Sequence, residues 1–207
     1  ANPLNYIEAA KTIIKKGGYV FRVGHKSSVK MPNIGGLIDY ANSNYKSPDM
    51  DVFLAAKSKF CIGNSSGFMR IARYFSVPIL LADGPKHCEF LSLKERDIYL
   101  PRLFKNEKSN KPMSFKKMFE FPYNMMVNDN AYSKHKISTI ENTSDEINSA
   151  TQEMIELTLS NRKKILTKKQ KRVSKIIEKS IKQISQTDQK VFSRISSYFL
   201  NKHSNLI

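Results

Sequence analysis

A chain of 207 residues, 40% hydrophobic and 26% charged, has the balance of a soluble globular protein with one buried core and an appendage. No apolar run reaches the roughly 20 residues of a membrane-spanning helix, the start ANPLNYIEAAKTIIKKGG lacks the apolar centre of a signal peptide, and Cys61 and Cys88 have no metal-ligand spacing. These features predict a reducing, cytoplasmic setting. The net charge of +17 is unevenly spread: from Arg162 to Lys202 thirteen Lys or Arg stand against only Glu178 and Asp188, a net of +11 in that segment.

In chain order, Ile7, Ala10, Ile13 and Ile14 share one side of a helix over residues 5–16 that Gly17-Gly18 can end. YVFRV (19–23) reads as a buried strand, so its single Arg22 must point to an edge or a site. Residues 24–36 read as loop and LIDYA (37–41) as a second strand. Ser47-Pro48-Asp49 gives a hydroxyl cap, a proline and an acid in the first turn, and starts a helix running to about Ser58. Residues 60–63, 68–76 and 77–81 then read as strand, helix and strand.

This alternation predicts an α/β fold, a Rossmann-like parallel sheet flanked by helices, whose ligands lie at the carboxyl ends of the strands. Arg22 to Gly24, Asn64-Ser65-Ser66-Gly67 and Asp83-Gly84 each follow a predicted strand and would emerge at one edge. Beyond Leu81 the pattern weakens. Residues 91–104 read as loop with an extended DIYLP piece and 106–112 as a polar connection. Phe115, Met118, Phe119, Phe121, Tyr123, Met125 and Met126 supply core-filling mass.

Thr143 and Glu146 have capping-box spacing and open a helical pattern through Ile147, Met154, Ile155 and Leu159. The pattern continues through Val173, Ile176, Ile177, Ile181 and Ile184, and Thr187 is placed to cap a last helix carrying Val191, Phe192, Ile195, Tyr198 and Phe199. The chain therefore divides into an α/β domain, 1–142, and a C-terminal basic helical extension, 143–207. The lysines of the extension suit an anionic membrane surface, nucleic acid, or simply the solvated face of packed helices. Its few aromatics serve base stacking poorly.

Two readings fit Asn64 to Gly67. Backbone N–H groups and hydroxyls at a helix start can hold a phosphate, with Gly67 giving room for close approach, or Ser66 can be an ordinary N-cap. Arg22 can make a bidentate bond to a phosphate or form an ion pair with Asp39 or Asp51. Asp51 can meet a ribose, orient Arg22, or complement its helix terminus. His25, His87, His135 and His203 show no metal spacing, so no metal is expected. GxxxxGK[ST], GxGxxG and GxSxG are all absent from the sequence.

GGYVFRVG, IDYANSNYKSPDMDVFLAAKSKFCIGNSSG, VPILLADG and DIYLPRL, in this order, resemble a family of bacterial glycosyltransferases associated with surface-polysaccharide clusters. The resemblance spans about residues 5–104 and implies the donor-binding half of a two-domain GT-B enzyme, with an acceptor-binding half preceding it. It implies that Arg22, Gly24, Asn64, Ser65, Ser66 and Gly67 contact the diphosphate of a nucleotide-sugar, which is substrate rather than cofactor. Asp51 matches the family's helix acid and Asp83 is a supporting candidate; Asn64 stands where threonine is more usual. The acceptor would be a glycan or lipid-linked, and the setting peripheral at the inner membrane face.

Overall fold

The computed structural model describes residues 2–26, 29–84, 90, 92–126, 128–160, 165–185, 191 and 193–207. A 3-10 turn, Pro3–Tyr6, leads into α1 (Ile7–Lys15). Gly17 ends it at φ 82, a conformation that costs glycine little. Next come β1 (Val20–Phe21) and β2 (Leu37–Ile38), which pair in parallel as a two-stranded sheet of their own. The second strand stops short of the expected 37–41, because the chain turns at Asp39 into a 3-10 turn over Tyr40–Asn42. Helix α2 (Pro48–Lys57) starts as its sequence demands: Ser47 Oγ accepts from Met50 N–H at 3.2 Å, and Asp49 and Asp51 occupy the first turn.

β3 (Cys61–Gly63), α3 (Gly67–Tyr74) and β4 (Ile79–Gly84) form a parallel strand–helix–strand unit, with Cys61 opposite Ile79. β4 begins later and runs further than the expected 77–81, so Asp83 and Gly84 end the strand rather than follow it. The expected extended DIYLP piece is β5 (Ile98–Pro101), while β6 (Leu103–Asn106) and β7 (Lys111–Pro112) form where loop and a polar connection were expected. Then come α4 (Phe115–Phe119), α5 (Asp129–Lys134), β8 (Ile137–Ile140), α6 (Ser144–Leu159), α7 (Lys168–Ser185), β9 (Arg194–Ile195) and α8 (Ser197–Lys202).

The main sheet has the order β3-β4-β5-β9, all parallel, and helices flank it; β7-β6-β8 form a separate antiparallel sheet. This is a mixed α/β architecture consistent with a Rossmann-like fold. Every residue of β4 and β5 is buried, as central strands covered on both faces must be, and so they read as apolar runs without alternation. Asp97 accepts from Ile79 N–H at 2.8 Å and Lys94 N–H at 2.7 Å, tying the start of β4 to that of β5.

Residues 143–207, expected as a basic helical extension, contain α6, α7 and α8. Their Ile147, Met154, Val173, Ile177, Phe199 and Leu200 lie in the same buried cluster as β4 and β5. One correction concerns Ile195, which its spacing assigned to a last helix. It lies instead in β9, opposite Tyr99 of β5 and 2% exposed. The edge of β5 offers backbone partners and a buried slot, and this tertiary gain outweighs helical spacing in a two-residue segment. Thr187, the expected cap, lies outside the described residues, as do Cys88, His87 and Phe192. Glu153 pins the C-terminal elements together: it accepts from Ser197 N–H at 2.9 Å and Gln170 Nε2 at 3.3 Å, while Gln170 Nε2 also donates to Ile195 O at 2.8 Å.

Candidate functional site

The polar turn sits where β3 hands over to α3. Ser66 has the extended backbone of an N-cap, φ −146 and ψ 165, yet its hydroxyl accepts no hydrogen bond from the helix. Ser47, Ser114, Asn128 and Thr143 all do so at the starts of α2, α4, α5 and α6. Ordinary side-chain capping is therefore not what Ser66 does. A Cβ placed on Gly67 would meet no atom within 4 Å, so space is open before the first turn of α3. Ser65 already has a partner within the chain.

Arg22 follows β1 and its amide continues the pairing, donating to Ile38 O at 2.8 Å. Its Nη1 lies 3.4 Å from Asp39 Oδ1. Asp39 Oδ2 in turn accepts from Asn42 Nδ2 at 2.8 Å and Met31 N–H at 3.2 Å. Of the two ion pairs open to Arg22, the one with Asp39 is present. It does not exhaust the guanidinium, which has five donors in a fixed fork. Gly24, at φ 113 with nothing within 4 Å of a built Cβ, turns the chain away in a conformation that favours glycine.

Two cavities share a wall, to which Asn64 contributes together with apolar residues of α1, β1 and β3. The first, of about 670 Å³, is lined by Tyr6, Arg22, His25, Lys26, Gly63 and Asn64 against apolar side chains of α1, β1 and β2. The second, of about 650 Å³, is lined by Gly24, Asn64, Ser66, Phe53 and Phe68 among others, with Lys16, Lys57 and Lys59 also contributing. Among the described residues no carboxylate lines either cavity. Both walls are mainly apolar and the charged side chains on them are all cationic, so such charge as the spaces carry favours an anion.

Of the residues expected to contact a diphosphate, Arg22 lines the first cavity, Gly24 and Ser66 the second and Asn64 both, while Ser65 and Gly67 line neither. Asp51 lines neither, because Lys46 Nζ holds both its oxygens at 3.0 and 2.8 Å. Asp83 also lines neither. It ends β4 in the left-handed region at φ 51 and is locked by Asn142, each backbone N–H donating to the other's side-chain oxygen at 2.7 Å. Burial raises its carboxyl above the ordinary range, more than Asn142 N–H and Arg102 lower it. Its connection to the cavities runs through Tyr6, whose phenol is pushed well above its usual value by burial and then by the Asp83 charge.

Tyr6, His25 and Lys26 were not singled out from sequence as ligand contacts. Gly24-His25-Lys26 directly follows a predicted strand, and that position was the available signal for the last two. Cys61, buried in β3, has its thiol pushed up to about 11 by burial, the state of an inert structural cysteine. Among the described residues no cluster of His, Cys, Asp and Glu is placed to hold a metal ion, and no helix is long and apolar enough to cross a membrane. Compared with known proteins, the chain matches no family model, no curated protein and no solved structure.

Proposed function

We propose that the chain binds a nucleotide-sugar at the carboxyl end of β3 and serves transfer of the sugar to a polysaccharide or glycolipid acceptor. The observation that carries the binding part is the position of Asn64, which lines both cavities, with Arg22 in one and Ser66 in the other. A diphosphate at that junction would lie between a guanidinium and an uncapped helix start, two features that each favour phosphate. The adjoining spaces give room for the two ends of an elongated ligand. The transfer part of the reading rests on the resemblance of the motifs.

As the bond between the sugar's anomeric carbon and the diphosphate oxygen breaks, its electron pair stays on the leaving group and negative charge grows there. Arg22 and the first turn of α3 would attract that growing charge more strongly than the ground state, which is what lowers a barrier. Asp39 would act by positioning Arg22. The acceptor and the base that deprotonates it belong to another domain in this reading.

Isothermal calorimetry with uridine and guanosine diphosphates and their sugar conjugates tests the binding. Arg22→Ala is expected to weaken affinity about tenfold or more, as loss of a charged hydrogen bond does. Ser66→Ala is expected to weaken it severalfold. Absence of binding to every nucleotide, or unchanged affinity in both variants, would overturn the assignment.

A further inference from the structure

Helix α7 has two unlike sides. Gln170, Val173, Ile177 and Ser180 are buried, while Lys168, Lys171, Arg172, Lys175 and Lys179 are exposed. Steps of three and four residues put these five cations on one face, which covers about 16 Å of helix at 1.5 Å per residue. None of the five pairs with a carboxylate of a described residue. Glu178, the acid of this helix, instead accepts from Val191 N–H at 3.2 Å. Just before the helix, Ile165 is 84% exposed.

A solvated helix face ordinarily mixes charges of both signs, and neighbouring cations without acids repel one another. Such a face is stabilised by a surface of opposite charge. We propose that the exposed face of α7 docks on an anionic lipid surface. This inference stands apart from the nucleotide-sugar reading, since α7 lines neither cavity.

Three observations favour lipid over nucleic acid. The opposite side of α7 is buried from Gln170 to Ser180, so the helix offers one cationic face only, as docking on a flat surface requires. Four of the five cations are lysines, which act as point charges rather than bidentate readers of phosphates or bases. The neighbouring exposed side chain is aliphatic, and no aromatic side chain stands among the five to stack on a base. Five cations presented along one straight element match a planar sheet of headgroups, each strengthening partitioning by about fivefold.

Co-sedimentation of the full chain with vesicles of phosphatidylcholine, alone and mixed with phosphatidylglycerol, tests the proposal. Binding is expected only to the mixed vesicles, and it should fall as salt rises. Changing Lys168, Lys171, Arg172, Lys175 and Lys179 to Gln is expected to lower it by about two orders of magnitude or more. Changing the exposed Lys108, Lys111, Lys116, Lys134 and Lys136 to Gln alters net charge equally and is expected to cost far less. Circular dichroism checks that each variant is folded.

Should the fivefold variant not fold, Lys171→Gln with Lys175→Gln is expected to weaken binding about tenfold or more. Ile165→Asp is expected to lower it severalfold at fixed salt. Equal losses in the α7 and control sets would reduce the effect to net charge and overturn the proposal, and so would unchanged vesicle binding in the α7 variants. Binding to an oligonucleotide that exceeds vesicle binding and depends on the same five residues would overturn it in favour of nucleic acid.

Discussion

Thr143 and Ser66 hold the same position in α6 and α3, and their surroundings differ in every respect. Thr143 Oγ1 accepts from Glu146 N–H at 3.3 Å, and Glu146 Oε2 accepts from Thr143 N–H at 2.9 Å. Glu146 Oε1 then meets His203 Nε2 at 2.7 Å and Lys202 Nζ at 2.9 Å. Ser66 caps nothing, and its helix opens on a cavity edged by cations. A helix start with every group engaged is committed to the fold. One with its first turn open beside a cationic space is available to a ligand. The same division runs through the molecule, between the wired C-terminal elements and the open seam around β1 and β3.

The largest expected effect breaks the wired side. Glu153 receives hydrogen bonds from Gln170 and Ser197 and faces the buried Arg194, so Glu153→Ala strands several donors at once. A loss of about 3 kcal/mol is expected, read from urea denaturation. Next is Glu146. Burial pushes its carboxyl up, but His203, Thr143 N–H and Lys202 together outweigh that and bring it down to about 2 from 4.5. Because the folded value lies below the unfolded one, the stabilisation is fully present above pH 4.5 and fades as pH falls toward 2. Glu146→Gln should therefore cost about 2 kcal/mol at neutral pH, a gap from the parent protein that closes under strong acid in pH-dependent thermal melts.

The smallest effect sharpens the comparison itself. Thr143→Ala removes a working cap and is expected to lose about 1 kcal/mol, whereas Ser66→Ala, which removes none, should lose only a few tenths. Parallel thermal denaturation of the two variants decides it. An equal loss at both positions would mean that Ser66 belongs to the fold after all.

How much of this could be read from the residues follows from how local each signal is. Ser47-Pro48-Asp49 and the Thr143–Glu146 pair specify their helix starts through contacts three residues apart, and both appear as the sequence implies. The succession β3, α3, β4 was equally legible from its short connections. β9 was not, since two residues with a buried Arg194 have no periodicity and are defined only by the edge of β5. The sheet formed by β6, β7 and β8 was hidden for the same reason, as its partners Lys105 and Ser138 are far apart in sequence. At the site, the pairing of Arg22 with Asp39 is one of the two ion pairs that the sequence allows. That of Asp51 with Lys46 has no signal in the sequence, because residues five apart share no helical face and meet only when the chain turns into α2. The two cavities could not be read at all, for they depend on how separate elements stand against each other.

Among the described residues no backbone hydrogen bond bridges β1 and β3, so the small β1–β2 pair is moored to the larger sheet through side chains alone. A seam of that kind is the natural place for local breathing. Any molecule wedged into it would become a keystone of the architecture, slowing amide exchange across β1 and raising the melting temperature in proportion to its concentration.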